Sequence, residues 1–246
     1  MMKHKPTLLF IFLWCFLLSG FQSGYSAVEA GGILMNDTTW TNSDTIIVVS
    51  QVTVMDTVCL TVEAGAVVLF NNNTRLLVLG EFTAEGTPTS PIVFSSRADT
   101  LGGSPTPGGW YGLDMQSGSI SRIKHCHIKY IITGVYVYFA EAVLSDCVIE
   151  NFSLNGVYVN GSPQETSGLT LIERCTIRQT LPSTTGTASG IFGYQSSKLK
   201  VTRSRISSCN YGLDFLSYST NHPQFEVTYC DIQDNMRDGI YARTSG

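Results

Sequence analysis

One six-residue pattern recurs five times between Ile123 and Ala242, and it constrains the fold more than any other feature of the chain. Ile123-Lys-His-Cys126-His-Ile128 is followed by Leu144-Ser-Asp-Cys147-Val-Ile149 and Ile172-Glu-Arg-Cys175-Thr-Ile177. Val201-Thr-Arg-Ser204-Arg-Ile206 and Val227-Thr-Tyr-Cys230-Asp-Ile232 complete the series. Each copy leads to a glycine that opens a short alternating run: Gly134-Val-Tyr-Val, Gly156-Val-Tyr-Val, Gly190-Ile-Phe-Gly, Gly212-Leu-Asp-Phe and Gly239-Ile-Tyr-Ala. The recurring Cys or Ser is spaced by 21, 28, 29 and 26 residues. A period of this length with two short strands per unit predicts a parallel β-solenoid, in which each coil lays its strands on those of the coil before.

A solenoid also accounts for the charge content. Only 14% of the 246 residues are charged, because most strand positions face a neighbouring coil or the core, and Ser, Thr, Asn and Gly in the turns supply the polarity. The net charge is −4 and no basic cluster is present, which argues against nucleic acid as a partner.

Lys3, His4 and Lys5 precede an apolar run from Leu8 to Leu18 and a small-residue region from Ser19 to Ala30. That order is the grammar of a secretory signal peptide, and the apolar run is short for a membrane span. Residues 1–30 are expected to be removed, with cleavage after Ala30 favoured over Ala27 because Tyr25 is bulky. Residues 31–246 then form one exported domain, secreted or held at the cell surface. Its lead-in and N-terminal coils occupy 31–120 and the regular repeats 121–246.

Cys126, Cys147, Cys175 and Cys230 share one repeat position, and Ser204 fills it in the remaining unit. Inward-pointing side chains on successive rungs lie roughly 4.8 Å apart. Their parallel Cβ vectors suit a disulfide poorly, whereas a buried thiol packs as a small hydrophobe for which serine is the nearest polar substitute. The expectation is a structural ladder of free thiols, with no disulfides and no metal site. Cys59 and Cys209 fall outside this column.

Before the repeats, Ile46-Ile-Val-Val49, Val52-Thr-Val54, Leu60 to Phe70, Leu76-Leu-Val-Leu79 and Pro91-Ile-Val-Phe94 read as strands between Asn, Gly and Pro clusters. Trp40 is expected to pack against the first coil. The series Leu60-Thr-Val-Glu-Ala-Gly65, Leu79-Gly80, Ala84-Glu-Gly-Thr87, Pro91-Ile-Val-Phe94 and Gly108-Gly-Trp-Tyr-Gly112 resembles the N-terminal coils of secreted bacterial right-handed parallel β-helix repeat proteins. The resemblance spans residues 40 to 246 and implies a pectate-lyase-like fold. It is nearly silent on activity, since lyases, hydrolases and adhesins share that fold. The expected architecture is an all-β, right-handed parallel β-helix of about eight coils. Its C-terminal end is read as uncapped, to be covered by a further domain or a partner. Turns lengthen at Arg97 to Gly109, Gly161 to Gly168 and Thr180 to Ser189, and such loops are where solenoids build binding sites.

Stacking the repeats converts sequence into outward columns. One reads His127, Val148, Thr176, Arg205, Asp231, another Lys129, Glu150, Arg178, Ser207, Gln233, and a turn column His125, Asp146, Arg174, Arg203, Tyr229. The pairs Lys129–Glu150–Arg178, Asp146–Arg174 and Arg205–Asp231 are expected to be exposed ion pairs between rungs. No aligned column places two acids on successive rungs, as a calcium-dependent lyase or a paired-carboxylate hydrolase requires. Arg122-Ile-Lys124 resembles the Arg-Ile-Lys of polygalacturonases, but the Asn-Thr-Asp, Asp-Asp and Gly-His-Gly motifs that accompany it there are missing. His125 and His127 lack an evident third metal ligand, and no cofactor fingerprint is present. No catalytic residue, metal or cofactor is assigned.

The column after each glycine reads Tyr136, Tyr158, Phe192, Asp214, Tyr241, all expected to face outward, with Tyr138 and Tyr194 two residues further on. Such a strip suits the apolar faces of sugars at about one pyranose per rung, and equally suits packing between rungs. Two functions follow. One is a non-catalytic binder of polysaccharide or cell-surface glycan along this face. The other is a polysaccharide lyase or glycoside hydrolase with its carboxylates in the loops or beyond residue 246. A passive stalk or adhesin segment needs the fold alone.

Overall fold

The computed structural model describes residues 26–100, 103–161, 168–181, 186–195, 198–218 and 224–245. Most of the expected leader, up to residue 25, lies outside these, as do parts of the turns at 161–168 and 180–189.

The hexapeptide folds as two strands joined at a corner. His125, Asp146, Arg174, Arg203 and Tyr229, its third residue in each copy, have φ between 46° and 56°. This left-handed geometry costs an L-residue about 1 kcal/mol, and it turns the chain sharply between the strand that ends at Lys124 and the one that begins at Cys126. Each coil therefore contributes three strands, one more than the repeat suggests. In one coil they are Ile120–Lys124, Cys126–Lys129 and Thr133–Tyr138.

The strands stack in parallel register into three long faces. The first carries eight strands, from Thr38–Trp40 to Gln224–Thr228. The other two join into one 16-stranded sheet because Thr45–Val54 runs across both. Its first half pairs with Val67–Phe70 and its second with Arg75–Val78. The result is a right-handed parallel β-helix of eight coils among the described residues.

Period-two alternation sends one apolar column inward from each face. Ile123, Leu144, Ile172 and Val201 stack on the first, Ile128, Ile149, Ile177 and Ile206 on the second, and Val135, Val157, Ile191 and Leu213 on the third, all at 0–1% exposure. Trp110 plugs the N-terminal half. It lies fully buried against Phe70, with ring centroids 3.9 Å apart, and its indole N–H donates to the carbonyl of Lys129 at 3.0 Å.

The repeated glycines sit where the second and third faces meet. A Cβ on Gly134, Gly156, Gly190 or Gly212 would stand 2.4–2.6 Å from the carbonyl oxygen of the next glycine in the column, and 2.5–2.8 Å from Cγ2 of an isoleucine. Backbone contact between rungs, rather than unusual φ, fixes glycine here.

Cys126, Cys147 and Cys175 are buried, Cys230 is half-buried, and all four are free thiols. Each thiol donates to the carbonyl two residues earlier, at 3.2–3.4 Å, just before the corner. Ser204 makes the same bond to Thr202 at 2.8 Å and also accepts from the backbone N–H of Cys175 at 3.1 Å. The column thus selects a small donor, not merely a small hydrophobe. Cys209 is also free and buried, with its thiol donating to Ser207, and Cys59 lies half-buried near Thr61.

Ala27–Leu34 pairs along both halves of Thr45–Val54, so ordered structure begins before the boundary expected at residue 31. At the other end, the coil formed by Gln224–Thr228, Asp231–Gln233 and Asp238–Ser245 has no described strand on its far side. Ile240 there is 56% exposed.

Candidate functional site

The third face carries the aromatic column. Register aligns Asp114, Tyr136, Tyr158, Phe192, Asp214 and Tyr241 on successive rungs. Tyr136 and Tyr158 stack with centroids 4.7 Å apart and planes 20° apart, and Tyr158 and Phe192 at 5.1 Å and 23°. Rings so close and so nearly parallel cannot lie side by side in one plane, so each overlaps part of the next in the offset geometry that aromatic pairs favour. The column is shingled: it presents edges, phenol groups and partial faces. The outward strip expected from the sequence therefore offers only part of each ring face, because ring–ring contact uses the rest.

The other members divide. Tyr138 and Tyr194 stack beside Tyr136 and Phe192 at 6.3 and 6.2 Å, but Asn160 stands between them in register, so they form no second column. Asp214, expected to face outward with the others, is 4% exposed and accepts Nη2 of Arg243 at 2.9 and 3.0 Å. Burial raises its pKa, and Arg243 opposes the shift. Tyr241 turns to Tyr211, 5.2 Å away. Tyr211, immediately before Gly212, escaped the sequence reading.

The stack is open at its N-terminal end. The rung preceding Tyr136 bears Asp114 in the aligned position, not a ring. Here a cleft of about 310 Å³ is lined by Arg75, Tyr111, Leu113, Asp114, Gln116, Ile132, Thr133 and Tyr136. Asp114 accepts Nη1 of Arg75 at 2.9 Å on one oxygen and Nε2 of Gln116 at 2.6 Å on the other. The guanidinium also lies over the Tyr111 ring, 5.3 Å from its centroid. The Tyr136 phenol is pushed above its ordinary pKa, first by burial and then by the Asp114 charge, so it is neutral at physiological pH and its hydroxyl can both donate and accept. Sequence reasoning missed this cleft. The signal was present, since Gly112-Leu-Asp-Met matches Gly212-Leu-Asp-Phe.

Of the expected charge pairs, Glu150–Arg178, Asp146–Arg174 and Arg205–Asp231 form, and Lys129 alone takes another partner. Glu150 pairs with His127 at 2.8 Å and Arg178 at 3.0 Å. Hydrogen bonding from His127, reinforced by Arg178, holds its pKa down at about 2. Lys129 turns away to Asp99 of the 97–109 insertion, 2.7 Å distant, because that loop folds back over the same face. Arg174 binds Asp146 through two nitrogens at 2.7 and 2.9 Å, while Arg205 and Asp231, both more than half exposed, are 3.6 Å apart. His125 occupies a corner, and Nε2 of His127 meets Glu150 at 2.8 Å. Arg122 and Lys124 lie on the first face, away from the cleft.

The family model for the right handed beta helix region matches residues 111–246, more than half of the chain. No curated protein and no solved structure matches it.

Proposed function

The chain belongs to the right-handed β-helix family, and on that premise we propose that it is an exported, non-catalytic protein that binds an extended glycan along its third face. The single observation that carries the reading is the shingled run Tyr136–Tyr158–Phe192 ending at the Arg75–Asp114–Gln116 cleft. The run offers apolar ring surface edged by phenol groups, and the cleft offers fixed polar groups beside an aromatic wall, a pairing suited to the amphipathic surface of a sugar. A chain of sugars anchored in the cleft would run along the stack, parallel to the solenoid axis.

Hydrolysis of a glycosidic bond uses a pair of carboxylates, and Asp114 is the only carboxylate among the described residues lining the cleft. The lyase or hydrolase alternative therefore draws no support from this site, and a passive stalk would not need it. Export to the cell surface or beyond is proposed from the leader over residues 1–30.

A polysaccharide array read for both retention and new reducing or unsaturated ends tests this function. Retention without cleavage is expected, weakened by the double variant Tyr136→Ala, Tyr158→Ala. Cleavage, or retention unaltered in the folded double variant, would overturn the reading.

A further inference from the structure

We propose that the third face takes an acidic glycan, whose carboxylate or sulfate groups are received by Arg75 at one end of the aromatic run and by Arg243 at the other. This deepens the glycan-binding reading above and rests on it.

The two ends of the run are built alike. Asp114 precedes Tyr136 in register and Asp214 follows Phe192, so an aspartate closes the column on each side. Both are buried, at 8% and 4% exposure. Each is held by an arginine from the next rung outward, Arg75 at 2.9 Å and Arg243 at 2.9 and 3.0 Å. Each guanidinium also lies over a tyrosine, Arg75 5.3 Å from the centroid of Tyr111 and Arg243 5.2 Å from that of Tyr241. The carboxylate and the ring together fix the cation before any ligand arrives, which lowers the ordering cost of binding.

In both pairs it is the cation that faces solvent. The arginine side chains are 40% and 42% exposed, those of the aspartates 12% and 5%. Each arginine commits one nitrogen to its aspartate, Nη1 in Arg75 and Nη2 in Arg243. A guanidinium carries five N–H donors, so each keeps donors for a second acceptor, and Nε of Arg75 has no partner among the described residues. Its planar fork matches the oxygens of a carboxylate or sulfate. The neighbouring aspartate does not bar a second anion. Elsewhere in the chain Arg174 serves two carboxylates at once, Asp146 and Glu173, each at 2.7 Å.

Spacing then describes the ligand. Asp114 and Asp214 stand four rungs apart, roughly 19 Å, and Tyr136, Tyr158 and Phe192 occupy the rungs between. One extended chain can therefore set sugar faces on the rings and an acidic group on the arginine at either end.

The test is an array of polygalacturonate, hyaluronan and dextran sulfate, each beside its carboxyl-reduced or desulfated form, probed with the full-length chain at low and high salt. At least one acidic polymer should be retained, with its neutralised form held about ten-fold or more weakly. Whether the carboxylate or the sulfate polymers are held identifies the anion. Added salt should weaken only the acidic form. The paired variants Arg75→Gln, Asp114→Asn and Arg243→Gln, Asp214→Asn each remove a cation without stranding a buried acid. Each should weaken the acidic ligand by about ten-fold, whereas Tyr136→Ala, Tyr158→Ala should weaken acidic and neutralised forms alike. The wild-type comparison of the two forms needs no variant. Neutralised forms held as tightly as acidic ones overturn the proposal, and so do folded arginine variants that keep the acidic affinity. Either result leaves the broader glycan reading standing. Retention of no polysaccharide, here or on the array above, overturns both.

Discussion

A methyl group added to Gly156 would stand 2.5 Å from the carbonyl oxygen of Gly190 and 2.5 Å from Cγ2 of Ile177. The same relationship holds up the column until Gly239, whose nearest such contact is 3.5 Å. Overpacking against backbone has no flexible side chain to absorb it, so Gly156→Ala should destabilise the fold by about 3 kcal/mol, at the upper end for inserted methyl groups. Gly239→Ala should cost less than about 1 kcal/mol. Urea denaturation of the two variants side by side measures the contrast, and equal midpoints would refute it.

The thiol column makes a second comparison. Ser204 already performs the corner hydrogen bond, so Cys147→Ser should be tolerated. Cys147→Ala leaves the Ser145 carbonyl without its 3.2 Å partner and should cost about 1 kcal/mol more than the serine variant. Thermal melting of both reads the difference, and alanine equal to serine would count against a donor role.

Alkaline pH should also weaken the protein. Hydrogen bonding with the Cys147 thiol, then burial, raises the pKa of Cys175, and hydrogen bonding with Cys126 raises that of Cys147. Burial pushes Cys209 up to about 12. Unfolded thiols ionise near pH 8.5, so above that value the unfolded chain holds fewer protons than the folded one. The stability they contribute is complete below about pH 8.5 and declines as the pH rises toward the folded values. Urea midpoints from pH 7 to pH 10 should fall more steeply in the wild type than in Cys147→Ser, Cys175→Ser, and parallel slopes would contradict this.

Acid reverses the sign at Glu150. Its pKa lies at about 2, below the unfolded value near 4.3, so it stabilises the fold above that value and loses the contribution as the pH falls toward 2. Glu150→Gln should cost about 1–2 kcal/mol at pH 7 and almost nothing near pH 2. Arg174→Ala, which breaks a more exposed, solvent-screened pair, should cost less than Glu150→Gln at pH 7. Chemical denaturation at the two pH values distinguishes them.

Asn151 offers the last test. Its side-chain oxygen accepts from the backbone N–H of Thr180 at 2.9 Å, from the Thr180 hydroxyl at 2.9 Å and from the N–H of Leu181 at 3.0 Å, while the residue is 2% exposed. It ties the start of one long turn to the coil beneath. Asn151→Ala should lower stability by about 2 kcal/mol, with hydrogen exchange faster at Thr180 and Leu181 than at Ile177. Unchanged exchange there would argue against the tether.

Much of this architecture is legible in the sequence because a stacked solenoid repeats its constraints. The isoleucines, the cysteines and the glycines each meet the same neighbours on every rung, so each recurs. The corners are different. His125, Asp146, Arg174, Arg203 and Tyr229 share a left-handed φ and no chemistry; the column reads as a turn, but nothing in it shows that the turn is sharp enough to divide the hexapeptide between two faces. The cleft was equally hidden. Asp114 belongs to the aromatic column by register, yet it carries no ring, and its partner Arg75 lies 39 residues earlier. The ring orientations were beyond the sequence for a simpler reason: alternation says that a side chain points outward, and leaves χ angles to local packing.

The glycine-to-glycine contact has one more consequence. Because the coils from Gly134 to Gly239 meet through the same backbone interface, that part of the chain resembles a stack of interchangeable tiles whose stability sums tile by tile. Duplicating the stretch from one glycine to the next would lengthen the rod by a single rung, about 4.8 Å, without disturbing the fit elsewhere. Length in such a molecule is an independent variable, set by copying, and the reach of any binding face along it can be extended in the same increments.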